Sequence, residues 1–71
     1  MADPALQALL DADGQGMGIR ILRRVDDVGG TVCDYYVMGE ATGVGRARWV
    51  RCLQADSDAT KNTTIRNTLA A

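Results

Sequence analysis

Few residues of this chain have the types or the spacing to do chemistry. There is no histidine. Ser57 has no evident base, and the carboxylates are scattered over loops and helix ends. Nucleophilic and general acid–base catalysis both need partner groups within hydrogen-bond reach of one another, and no such constellation is written here. Cys33 and Cys52 are too few for a structural zinc site, which takes about four ligands. They do not define a disulfide framework either, and they read as small buried thiols, reduced in a protein made in the cytoplasm. Asp11 to Gly16, DADGQG, imitates the opening of a calcium loop, with Asp11, Asp13 and Gln15 in the ligand positions. The bidentate glutamate of such a loop would fall at Leu22, so the stretch reads as a glycine-rich turn. Gly14, Gly16 and Gly18 imitate a phosphate loop but precede a strand, with no Lys-Ser/Thr following, and the same objection meets Gly39, Gly43 and Gly45. The expectation is no catalytic residue, no metal site, no cofactor and no enzymatic activity.

What remains is recognition chemistry, arginines and aromatic rings on strand-like sequence. Six of the seven arginines, Arg20, Arg23, Arg24, Arg46, Arg48 and Arg51, lie between Met17 and Leu53. Within that stretch two runs hinge at Gly29-Gly30, a pair that suits a tight primed turn because glycine tolerates positive φ. With a two-residue loop Val28 faces Thr31, Arg23 faces Tyr36, Leu22 faces Val37 and Ile21 faces Met38. A third run, Arg46 to Leu53, follows the loop Glu40 to Gly45. It places Tyr36 opposite Trp49, Asp34 opposite Arg51, Val32 opposite Leu53 and Cys33 opposite Cys52. An aromatic pair, an ion pair, an apolar pair and a like pair in one register argue for that register, since such cross-strand pairs stabilise sheets.

Alternation then sorts the side chains by face. One face carries Ile19, Ile21, Val25, Val32, Tyr36, Met38, Ala47, Trp49 and Leu53, with Asp34 and Arg51 paired and Arg23 unplaced; it is expected to be the core. The other carries Arg20, Arg24, Arg46 and Arg48 around Leu22, Tyr35, Val37, Val50 and the cysteines. A slip of one residue would exchange the two. The thiols are expected to face one another, with the bridge between them left open.

The flanks are thin. Asp3 suits an N-cap and Pro4 the first position of a short helix whose Leu6, Leu9 and Leu10 share one side. After the sheet, Asp56 or Ser57 could cap a helix with Ile65 and Leu69 one turn apart, but Thr60, Asn62, Thr63, Thr64, Asn67 and Thr68 are poor helix formers. That segment is a helix or an extended arm. Asn62-Thr63-Thr64 matches a glycosylation acceptor only by chance, in the absence of a secretory signal. The fold class expected is α+β, a small three-stranded antiparallel sheet with a short N-terminal helix and a C-terminal helix or arm. It forms a single small domain over 1–71, with helix and glycine-rich turn at 1–16, sheet at 17–53 and the C-terminal segment at 54–71.

Seventy-one residues with no phenylalanine and one tryptophan make a thin core, and a chain this short buries only about 60% of its unfolded surface. Self-association or docking would relieve that. A net charge of −1 argues against a nucleic-acid-binding polycation. The chain has no apolar run of the ~18 residues that a membrane-spanning helix needs.

From Tyr36 to Ala71 the sequence resembles small virion proteins of tailed bacteriophages, chiefly in Gly39-Glu40-Ala41-Thr42-Gly43, Arg46-Ala47-Arg48-Trp49-Val50 and the Ala/Thr/Asn-rich tail. The resemblance implies a structural role in the particle, as capsid decoration, connector or tail accessory, made in the host cytoplasm. Its partners would be other copies or a larger viral structural protein, and no site residue carries over. The expected protein interface is Arg20, Leu22, Arg24, Tyr35, Val37, Arg46, Arg48 and Val50, because arginine suits interfaces. The competing expectation is a nucleic-acid-binding module using that Arg/Tyr face. The helix–three strands–helix order is similar to that of double-stranded-RNA-binding domains, but their lysine cluster is missing and Lys61 stands alone.

Overall fold

The computed structural model describes residues 3–13, 18–39 and 47–70. The helix α1, Pro4–Asp13, is followed by the strands β1, Arg20–Asp26, β2, Val32–Met38, and β3, Arg48–Leu53, and then by the helix α2, Asp58–Ala70. The strands form one antiparallel sheet in the order β1-β2-β3. The C-terminal segment is thus a helix rather than an arm.

The β2–β3 register pairs Val32 with Leu53, Cys33 with Cys52, Asp34 with Arg51 and Tyr36 with Trp49, as the side-chain types predict. The first hairpin departs from expectation at both ends. Its turn is wider than Gly29-Gly30, because Asp27 N–H bonds the Val32 carbonyl and Gly30 N–H the Asp27 carbonyl. Of the two glycines only Gly30 takes a left-handed φ, +72°. Asp27 also caps the turn, its Oδ1 accepting from the N–H groups of Thr31 and Val32 at 2.7 and 2.9 Å. At the other end Arg23 faces Tyr36 as predicted, but the register slips between Ile21 and Arg23. Ile21 faces Val37 and Arg20 faces Met38, so the expected pairs Leu22–Val37 and Ile21–Met38 do not form. The bulge at Leu22 leaves that side chain exposed and turns Ile21 inward.

Ile19 and Ile21 are buried as predicted, but on β2, on β3 and on β1 beyond the bulge the faces are the reverse of those predicted. Both helices lie over the face carrying Cys33, Tyr35, Val37, Val50 and Cys52, which join Ile19, Ile21, Leu6, Leu10, Ile65 and Leu69 in the core. The face expected to be the core is open, with Trp49 52%, Leu53 49%, Val25 40% and Met38 38% exposed. The bulge and the helices' apolar positions decided between two faces that both carry apolar residues.

Each helix has a local reason to form. Asp3 Oδ1 accepts Leu6 N–H at the start of α1, and Ser57 Oγ accepts Thr60 N–H at the start of α2. Within α2 the hydroxyls of Thr63, Thr64 and Thr68 donate to the carbonyls of Ala59, Thr60 and Thr64, one turn back. Low propensity is overcome by docking, with Ile65 and Leu69 buried. Asn62, buried on the same helix, donates to Asp13 of α1 at 3.0 Å.

Candidate functional site

The open sheet face is the candidate site. A strand exposes alternate residues, so the covering of Cys33, Tyr35 and Val37 leaves Val32, Asp34, Tyr36 and Met38 outward on β2. Likewise Trp49, Arg51 and Leu53 face outward on β3. Opposite them on β1 stand Arg23, across from Tyr36, and Val25, across from Asp34. At the centre the Tyr36 and Trp49 rings pack with centroids 4.9 Å apart and planes tilted by 37°.

Charge on this face is unevenly satisfied. Arg51 makes a two-point pair with Asp34, its Nε and Nη2 donating at 2.9 and 3.1 Å. The Arg51 hydrogen bond holds the Asp34 carboxyl below its usual value, and the same bond raises Arg51. Arg23 has no ion-pair partner among the described residues. It lines a shallow depression of about 440 Å³ with Val25, Asp34 and Trp49. An unpaired guanidinium beside a half-exposed indole and a valine can take a carboxylate, an aromatic ring or a base.

The interface predicted from sequence is dispersed. Tyr35, Val37 and Val50 are at most 2% exposed and belong to the core, where no partner reaches them. Leu22 stands in the bulge and is exposed. Arg20 and Arg48 are exposed, and Arg48 donates to the Thr68 carbonyl near the end of α2. Arg46 lies outside the described residues, as does the loop Glu40 to Gly45. So do Gly14, Gln15 and Gly16 of the calcium-like and phosphate-like stretches, together with Gly43 and Gly45.

Arg24 has a different task. Its guanidinium lies 5.5 Å from the Tyr35 ring centroid and pairs with Asp3 at 2.9 Å and Asp26 at 2.7 Å. The bond to Asp26 raises Arg24 further. Tyr35 donates its hydroxyl to Asp3 Oδ2 at 2.7 Å, and burial followed by that bond raises the phenol. Burial pushes Asp3 up. The Tyr35 hydroxyl, the Leu6 N–H and the charges of Arg24 and Lys61 outweigh it and hold the carboxyl below its usual value. This cluster ties α1 to the sheet and leaves nothing free for a ligand.

The thiols of Cys33 and Cys52 are free, buried and opposed. Burial, then the neighbouring Cys33, pushes Cys52 up to about 11, away from the thiolate that reactivity requires. Among the described residues no group of His, Cys, Asp and Glu is arranged to hold a metal ion, and no helix is long and apolar enough to cross a membrane.

Sequence reasoning named the Tyr36–Trp49 and Asp34–Arg51 pairs but assigned them to the buried side. Residue types alone did not separate the two sides, because each carries apolar residues that could meet the leucines of α1. Comparison with protein-family models, with curated proteins and with solved structures found no match.

Proposed function

We propose that this protein is a non-enzymatic assembly component, a small structural protein of a tailed-bacteriophage particle, and that it docks on a larger structural protein through its open sheet face. The observation that carries this reading is the Tyr36–Trp49 pair, uncovered on a face it shares with Val25, Leu53 and Arg23. Aromatic residues and arginine dominate the energetics of protein interfaces, and a domain this small gains most from added burial. The resemblance of Tyr36 to Ala71 to small virion proteins supports the particle as the setting, in the infected host's cytoplasm and then the virion.

The test is cosedimentation with assembled particles. Wild-type protein should pellet with them, and Trp49→Ser and Arg23→Glu, both at exposed positions, should stay in the supernatant while remaining folded. Pelleting of both variants at the wild-type level would remove the face from the interface.

One arrangement favours a second reading, a nucleic-acid-binding module. The unpaired Arg23 beside the Trp49 ring is the kind of platform on which unstacked bases lie. The duplex-RNA version fits poorly, since Lys61, at the start of α2, is 5% exposed. A gel-shift titration of single-stranded oligonucleotides against salt separates the two readings, because phosphate contacts weaken steeply as salt rises.

A further inference from the structure

The two edges of the sheet are finished differently. In an antiparallel sheet alternate residues of an edge strand turn their N–H and C=O groups outward, as a template for another strand. On β1 the first part of that template is closed, and the part beyond it, where Arg24 and Asp26 turn outward, is lined with charge. The Gln7 side-chain amide accepts Ile21 N–H at 2.7 Å and donates to the Ile19 carbonyl at 2.9 Å, the two bonds a neighbouring strand would make. The bulge at Leu22 breaks the edge just beyond, and Arg20 and Arg23, without ion-pair partners among the described residues, stand along the same strand.

On β3 the template is open. Gln54 N–H bonds the Thr31 carbonyl, so the alternation directs Cys52 and Val50 toward β2 and Leu53, Arg51 and Trp49 outward. Leu53 N–H is capped by Asp56 Oδ2 at 3.3 Å. Nothing among the described residues bonds the outward groups of Trp49 and Arg51. The charges that guard an edge strand are also drawn inward here, Arg51 onto Asp34 and Arg48 onto the Thr68 carbonyl.

We infer that β3 pairs antiparallel with β3 of a second copy, centred on Val50, to give a two-fold dimer with one continuous six-stranded sheet. That register exchanges hydrogen bonds between Trp49 of one copy and Arg51 of the other, and it does so twice. It sets the indole of each copy across from the guanidinium of its partner, a complementary pair of negative ring face and cation. Residues Trp49 and Arg51 alternate on one face with nothing between them but Val50, so the strand is complementary to itself when reversed. Because the β1 edge is capped by Gln7, broken by the bulge and lined by Arg20, Arg23, Arg24 and Asp26, the pairing stops at two copies and does not run on as a filament. The dimer leaves both open faces free and joins their Tyr36–Trp49 pairs into one surface, so it stands apart from whichever partner that face takes.

The experiment is sedimentation equilibrium of the reduced protein over a hundredfold range of concentration, with amide hydrogen exchange followed at both ends of the range. The mass should rise from 7.6 kDa to twice that and no further. The Trp49 and Arg51 amides should gain at least about tenfold protection with it, while the Arg24 amide does not. Arg51→Pro removes an outward N–H that the β2–β3 ladder does not use and should give a monomer at every concentration. Should that variant fail to fold, the wild-type exchange pattern alone decides. A wild-type mass of 7.6 kDa throughout, or a dimer in which the Trp49 and Arg51 amides exchange as fast as in the monomer, would overturn the inference. Protection of these amides only on addition of an extended foreign peptide would assign the edge to another protein instead.

Discussion

Replacing Asp3 by alanine tests the cluster that fastens α1 to the sheet. The carboxylate accepts three hydrogen bonds, from Leu6 N–H at 3.3 Å, Arg24 Nη1 at 2.9 Å and the Tyr35 hydroxyl at 2.7 Å, with its side chain 12% exposed. Loss of the N-cap costs about 1 kcal/mol. The Tyr35 hydroxyl, on a residue that is 0% exposed, is left without its acceptor, at about 1–3 kcal/mol. Arg24 keeps Asp26, so no charge is stranded. The sum is roughly 2–4 kcal/mol, a large share of the ~4–10 kcal/mol that a domain of this size holds. Urea unfolding should show a lower midpoint with an unchanged slope. Adding Tyr35→Phe to Asp3→Ala removes the orphaned hydroxyl, so the double variant should be less destabilised than the two single losses added. A loss below about 0.5 kcal/mol for Asp3→Ala, within the range of ordinary surface substitutions, or strict additivity in the cycle, would refute the reasoning. The pH dependence has a definite sign. A carboxyl held below its usual value contributes stability above the unfolded value of about 3.9 and loses it as pH falls through the folded value. Wild type should therefore lose more stability than Asp3→Asn below about pH 4, the difference between the two isolating Asp3 from Asp27 and Asp34, which are also held low.

Two further outcomes follow from burial. Trp49→Ala should cost about 1.5–3 kcal/mol, the aromatic pair plus the burial of about half the ring, because the ring is half exposed. A loss of ~3–5 kcal/mol, as for a core aromatic, read from the same urea curves, would mean that the ring is buried. Cys33 and Cys52 should react slowly with a thiol reagent at neutral pH and promptly in urea, since both are buried and Cys52 titrates only at about 11. Prompt labelling of native protein would show that α2 leaves the sheet readily.

The β2–β3 register was legible in the sequence because four kinds of pair agreed in it, and a shift of one residue would have broken all of them. The helix ahead of the sheet was legible through Asp3, Pro4 and the leucine spacing. The face assignment was not. Arg24 counts against burial in any reading by residue type, yet here Asp3 and Asp26 hold its charge at the rim while the Tyr35 ring beneath it joins the core. Trp49 and Leu53 count toward burial and stand outside. The bulge at Leu22 has neither glycine nor proline to mark it; it arises where Ile21 rather than Leu22 fits against Val37. The helicity of α2 was hidden because its threonine hydroxyls satisfy carbonyls of their own helix and its stability comes from α1 and β3. The candidate site inherits these misses, since the aromatic and ion pairs were read correctly and put on the wrong side.

The layer that roofs the sheet is drawn from both sides of it in the sequence, α1 ahead and α2 behind, and Asn62 meets Asp13 across that distance. When α2 lifts off, Ile65 and Leu69 leave the core with it. Val50 and Cys52 then have only water above them, and the open β3 edge lies beside bare apolar surface. Loss of one short helix thus turns a folded monomer into a species that associates edge to edge without unfolding its sheet.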